Sequence, residues 1–96
     1  MEKKIKVYKF WADWCAPCRM LTPIFEKAAE KYKENLDFES INAEEQEDFA
    51  MYLKVRSLPT IVMYDPNTKA EISRISGLLS FDKLCKWTDE AYASVG

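Results

Sequence analysis

Between Ile5 and Tyr32 the apolar pattern changes its period from two to 3.6, across a turn-like stretch of six residues, Ala12–Pro17. Before the break, Lys3–Trp11 partly alternates: Ile5 and Val7 stand against Lys4 and Lys6, and Tyr8, Phe10 and Trp11 fill the end. That pattern predicts a strand, half buried at first and more fully buried later. After the break, Leu21, Ile24, Phe25, Ala28, Ala29 and Tyr32 recur at helical spacing. Glu26, Lys27, Glu30, Lys31 and Lys33 occupy the other side, so a helix is predicted over about Cys18–Glu34. Pro23 lies inside it, lacks an N–H and is expected to kink it.

The remaining elements follow in short pieces. Leu36–Asn42 predicts a strand and Glu44–Leu53 a short helix, with an acidic first turn suited to the helix dipole and Phe49, Ala50 and Leu53 as its buried stripe. Thr60–Tyr64 predicts a central strand, and Asp65-Pro66-Asn67 a turn short enough for an antiparallel hairpin with Glu71–Ser76. Ile72 and Ile75 are three apart, which suggests a bulge. Gly77 ends this strand, Ser80 is a candidate N-cap, and Phe81, Leu84, Cys85, Thr88, Ala91 and Tyr92 mark a last helix. The order β-α-β-α-β-β-α predicts an α/β fold with a four-stranded mixed sheet and helices on both faces. The first two β-α-β steps are expected to be right-handed crossovers. With 96 residues, 48% of them hydrophobic, the chain 1–96 is expected to form one domain with its own core.

Charge and composition remove several functions. Lys+Arg 14 against Asp+Glu 16 gives net charge −2, without the basic excess of a nucleic-acid binder. No apolar stretch approaches a membrane span. Lys3, Lys4, Lys6 and Lys9 interrupt any signal-peptide core, so a cytoplasmic protein is expected. There is no His and there are three Cys, which excludes a four-ligand Cys/His zinc site within the chain and any His-based nucleophile activation. No metal is expected. Cys85, Met51 and Met63 read as packing residues.

Cys15-Ala16-Pro17-Cys18 falls at the strand-to-helix junction. Two Cys separated by two residues in such a place read as a redox pair. Cys15 at the helix N-terminus meets free N–H groups and the positive end of the dipole, which favour a thiolate. The thiolate is the species that attacks a disulfide, and Cys18, one turn on, can resolve the product. Arg19 adds positive charge nearby. The helix geometry further predicts an exposed Cys15 and a more buried Cys18.

Phe10-Trp11-Ala12-Asp13-Trp14-Cys15-Ala16-Pro17-Cys18-Arg19 resembles the active-site signature of the thioredoxin family. Pro23 stands where that family carries its helix proline, and Val55-Arg56-Ser57-Leu58-Pro59-Thr60 is similar to its cis-proline loop. Gly77 lies at its third substrate-facing loop, and the likeness runs from about Lys6 to Tyr92. The resemblance implies a thioredoxin fold with Cys15 as nucleophile and Cys18 as resolving thiol. It implies a cis Pro59 facing the pair, and a docking surface of Trp14, Ala16, Pro17, Leu58 and Leu78 with Gly77 beside it. The Leu58 backbone would pair with an extended substrate segment.

The implied activity is thiol–disulfide exchange on protein disulfides, with no bound cofactor, by a monomer recycled by a flavin-dependent reductase. Two alternatives stand beside it: a dedicated donor to one enzyme, of the glutaredoxin or ribonucleotide-reductase-donor type, and a redox-regulated binding module of the same fold. The chain departs from the family in four places. About ten residues precede Phe10, too few for the strand and helix that members often carry there, so a minimal core is expected. Ala16 replaces the usual Gly between the cysteines. Lys9 replaces the buried Asp six residues before the nucleophile, and Ser40 aligns with that residue's usual Lys partner. Lys9 is therefore read as a residue that tunes the thiols, against the alternative of a packed stem with its ammonium in water.

Overall fold

The structure is a computed structural model that describes residues 3–95. Its elements are β1 (Ile5–Trp11), α1 (Ala16–Tyr32), β2 (Leu36–Asn42), α2 (Glu47–Tyr52), β3 (Thr60–Asp65), β4 (Ala70–Ser76) and α3 (Phe81–Ala93). The strands form one sheet in the order β2-β1-β3-β4. β1 runs parallel to β2, with Trp11 opposite Asn42. It runs antiparallel to β3, with Phe10 opposite Thr60, and β3 and β4 form the expected hairpin. No helix among the described residues is long and apolar enough to cross a membrane.

One expectation is corrected. The second β-α-β step is not a parallel crossover, because β3 is antiparallel to β1. The cause is packing. Ala50 and Leu53 of the connection pack on Phe10 and Ile41, near the end where β2 finishes, so the chain turns back there and enters β3 from that end. The consequence for function is direct. The C-terminal ends of β1, β2 and β4 and the start of β3 meet at one edge of the sheet, since Trp11 pairs with Asn42, Phe10 with Thr60, and Thr60 with Ser76.

Each sheet face carries its own core. Ile5 and Val7 on β1, Leu36, Ile61 and Met63 pack with Leu21, Phe25 and Ala28 of α1 and Leu84 and Ala91 of α3. On the opposite face Phe10, Ile41, Val62 and Tyr64 pack with Ala50 and Leu53 of the α2 segment. The alternation along β1 thus divides residues between two layers, as a strand's period of two requires. Phe49 is only half-buried, and its ring meets Tyr8 edge-on at 5.1 Å.

The local signals act where expected. The Ser80 hydroxyl accepts from the Lys83 N–H at 3.2 Å and caps α3. The hairpin register slips between Met63 and Tyr64, whose partners are Ser73 and Glu71, so Ile72 is the extra residue of a bulge. Gly77 closes β4 at φ +92°, a conformation that L side chains rarely adopt. α1 is continuous through Pro23, which lies on its exposed side. It begins at Ala16 rather than Cys18, and α2 begins at Glu47 rather than Glu44. In the latter case the Asn42 side chain and carbonyl take the N–H groups of residues 44–46 in a turn. Met51 corrects the packing assignment: it is 67% exposed, whereas Met63 is fully buried.

Candidate active site

Cys15 is the N-cap of α1, with extended backbone at φ −92° and ψ 99°. Its Sγ accepts the Cys18 N–H at 3.3 Å, the place a Ser or Asp oxygen takes in an ordinary cap. Its own N–H donates to the Ala12 carbonyl at 3.1 Å, and its carbonyl accepts from the Arg19 N–H. Ala16 and Pro17 fill the first helical positions, where a missing proline N–H costs nothing. Cys15 and Cys18 are joined as a disulfide, with Cα atoms 5.3 Å apart.

The burial of the pair departs from expectation. Cys18 is 1% exposed, as anticipated, but Cys15 is only 3% exposed rather than open to solvent. In the disulfide the Cys15 sulfur turns inward, held to Cys18 and to the N–H of the first helical turn. The exposed surface comes instead from the residues beside it: Trp14 is 68% exposed, and Ala16 and Pro17 are exposed.

The other sequence-derived residues converge on the same edge. The Leu58–Pro59 bond is cis, and the buried Pro59 carbonyl accepts the Gly77 N–H at 2.9 Å. Thr60 fixes the loop from below, donating to the Ser57 carbonyl at 2.7 Å and bonding the Ser76 hydroxyl at 3.0 Å. Leu58 is half-buried, and Leu78 is 44% exposed. Trp14 and Leu58 line one side of a groove of about 310 Å³, completed by Ala50, Met51 and Val55 on the α2 side. Met51 was missed because nothing in its spacing separates a packed from an exposed methionine.

Lys9 lies beneath the pair. It projects from β1 on the α1 side of the sheet and is 2% exposed, which removes the solvated-ammonium alternative. Its Nζ donates to Thr22 Oγ1 at 3.0 Å and sits 5.2 Å from the Phe25 ring centroid. Thr22 in turn donates to the Cys18 carbonyl at 3.1 Å. Burial pulls the Lys9 ammonium below the ordinary lysine range, and the charge of Glu26 opposes this more weakly. Lys9, Cys18, Arg19, Thr22, Trp11 and Ser40 line a second cavity, of about 300 Å³. Ser40 is the direct cross-strand partner of Lys9. Arg19 also donates to the Asp13 carbonyl, tying the helix start to the loop before it. Thr22 escaped notice in the sequence, although its place four residues after Cys18 puts both on one helical face.

Comparison with known proteins finds relatives over most of the chain. The family model described as Thioredoxin matches residues 1–90. A thioredoxin of Borreliella burgdorferi is 39% identical over 67 residues, covering 70% of this chain and 57% of that protein. A thioredoxin of Coprinus comatus is 39% identical over 69 residues, covering 71% of this chain and 65% of that protein. The matched segments thus span between about half and two-thirds of those relatives' length. Among solved structures, the germline-specific thioredoxin Deadhead of Drosophila melanogaster superposes with a TM-score of 0.81 at 28% identity, over 91% of this chain and 80% of that one.

Proposed function

The chain belongs to the thioredoxin family, and from that premise we propose that it is a thiol–disulfide oxidoreductase that reduces protein disulfides through Cys15 and Cys18. The observation that carries the reading is the Cys15–Cys18 disulfide at the start of α1, with the Cys15 sulfur taking the N–H of the first turn. That bond and the helix dipole stabilise a Cys15 thiolate once the pair is reduced. The thiolate attacks one sulfur of a substrate disulfide, and the substrate's other sulfur leaves with the electron pair. Cys18 then attacks Cys15, the mixed disulfide breaks, and the second substrate sulfur leaves as a thiolate. Two electrons have passed to the substrate, and the protein pair is oxidised.

Recognition falls to the residues around the pair. Trp14, Ala16, Pro17, Leu58 and Leu78 offer an apolar surface, and Pro59 with the exposed Gly77 holds the loop floor. The Leu58 backbone supplies strand-like pairing for an extended polypeptide. The groove between Trp14 and Met51 supports a polypeptide rather than a small dithiol as substrate, because it extends the apolar surface beyond the cysteines. Lys9 and Arg19 tune the thiols. Residues 1–96 act as one domain, a cytoplasmic monomer serving redox homeostasis and electron transfer, with a flavin-dependent reductase restoring the dithiol.

The test is catalysed reduction of insulin by dithiothreitol. The wild-type protein accelerates precipitation of the insulin B chain, and Cys15→Ser abolishes the acceleration. Cys18→Ser removes turnover while accumulating a mixed disulfide on Cys15. Acceleration that survives Cys15→Ser overturns the assignment. A wild-type protein that is inert toward insulin and toward small disulfides, though its cysteines cycle reversibly, leaves the binding-module reading in its place.

A further inference from the structure

The cavity that holds Cys18 also holds an amine, and we infer that the Lys9 amine is the acceptor of the Cys18 proton during resolution of the mixed disulfide. This rests on the oxidoreductase reading and adds to it the group that makes the second step possible. Cys18 is 1% exposed, so bulk hydroxide has poor access to its thiol. A thiol attacks a disulfide only as the thiolate. Forming that thiolate alone would place an unpaired charge in a buried setting, which is costly.

Lys9 answers that difficulty by its position. It is 2% exposed, and no carboxylate pairs with its Nζ among the described residues. Among the described residues only Thr22 Oγ1 takes a bond from it, which leaves the amine two further sites for proton exchange. Thr22 holds it to the helical turn that carries Cys18, through the Cys18 carbonyl. The cavity of about 300 Å³ that both residues line has room for water to carry the proton between them. Transfer converts a neutral thiol and amine into a thiolate and ammonium, so the buried site keeps its net charge. The groups packed against Lys9 give its ammonium little stabilisation. β2 presents Ser40 and β3 presents Ile61, neither charged, and Phe25 of α1 presents its ring. Glu26 favours protonation, and burial opposes it more strongly.

The step balances as follows. Lys9 takes the proton of Cys18, and the Cys18 thiolate forms a bond to Cys15 Sγ. The bond between Cys15 and the substrate sulfur breaks, and its electron pair leaves on that sulfur. The Lys9 ammonium returns its proton to the departing thiolate or to water.

The experiment follows the two thiolate equivalents released when reduced protein meets 5,5′-dithiobis(2-nitrobenzoate) in a stopped-flow cell. The first equivalent reports attack by Cys15, and the second, concentration-independent one reports resolution by Cys18. Lys9→Met is expected to slow the second by about 100-fold, the scale of a lost general base, and the first by far less. Lys9→Glu, which restores a base but reverses the charge, is expected to recover much of the loss. The wild-type protein carries a separate test. Its resolution rate should rise with pH and level off where the Lys9 Cε resonance titrates in the reduced protein, at lower pH than in Lys9→Met.

A second step unchanged in Lys9→Met overturns the inference. So does a Lys9→Glu variant no faster than Lys9→Met, or a wild-type rate that ignores the Lys9 titration. Failure of the first equivalent in the wild-type protein counts instead against the oxidoreductase reading.

Discussion

Lys9→Met should make the protein more stable, and the gain should depend on pH. The substitution keeps an unbranched apolar stem in a site that is 2% exposed and deletes the amine. An effective penalty of about several kcal/mol attaches to each buried unpaired ion. Against its removal stand two losses. The bond to Thr22 is worth about 1 kcal/mol, and the contact with the Phe25 ring about 1 kcal/mol more. Thr22 is not orphaned, since its hydroxyl still donates to the Cys18 carbonyl. The net expectation is a gain of about 2 kcal/mol at a pH where Lys9 is protonated in both states, or roughly 8–16 °C in Tm for a domain of this size.

The pH dependence has a definite sign. The folded-state pKa of Lys9 is lowered, so between that value and the ordinary lysine value of 10.5 the unfolded chain binds more protons. Wild-type stability therefore climbs through that window as pH rises. Below the window both states are protonated and the full penalty applies. The advantage of Lys9→Met should be largest on the acid side and shrink toward pH 10.5. Paired urea titrations of the two oxidised proteins across pH measure this, and the comparison cancels the other titrating groups. A variant less stable than wild type by more than about 1 kcal/mol, or a gain indifferent to pH, would refute the reasoning.

Three further outcomes follow from other parts of the molecule. Leu84→Ala, at a fully buried position that joins α3 to the sheet, should cost about 3 kcal/mol in urea unfolding while insulin reduction at low temperature persists. Cys85→Ala should leave turnover intact and cost about 1 kcal/mol, because Cys85 is a buried free thiol on α3, away from the edge where the pair lies. The Arg74 guanidinium beside Glu71 holds its carboxyl below the ordinary value of 4.5, so its contribution is present at neutral pH and lost as pH falls below that value. Both side chains are about one-third exposed, which limits this to about 0.5 kcal/mol, and Glu71→Gln should remove that part of the acid loss.

Much of this architecture is legible in the residues, for identifiable reasons. Ile5 and Val7 against Lys4 and Lys6, and the Leu21–Tyr32 stripe, state their periods clearly because each faces one core. Ser80 and Gly77 act locally, through a cap and a positive φ, so their roles need no tertiary context. The direction of β3 was not legible, because it depends on where the α2 segment packs against the sheet. The start of α2 was displaced by Asn42, a strand residue whose side chain captures N–H groups that the acidic run would otherwise place in the helix.

At the site, Cys15 and Cys18 stand out by chemistry and spacing, and the cis Pro59 loop only by family resemblance. The inward turn of Cys15 could not be read from helix geometry, because it follows from the bond to Cys18. Thr22 is the instructive omission. As a lone threonine inside a helix it has no motif, and its meaning appears only when β1 sets Lys9 opposite it.

The most direct measurement of the central claim is mass spectrometry of Cys18→Ser after exposure to a disulfide-bonded polypeptide, followed by proteolytic mapping. The account predicts one mixed disulfide per protein, located on Cys15, which dithiothreitol reverses. An unmodified protein, or an adduct confined to Cys85, would contradict it.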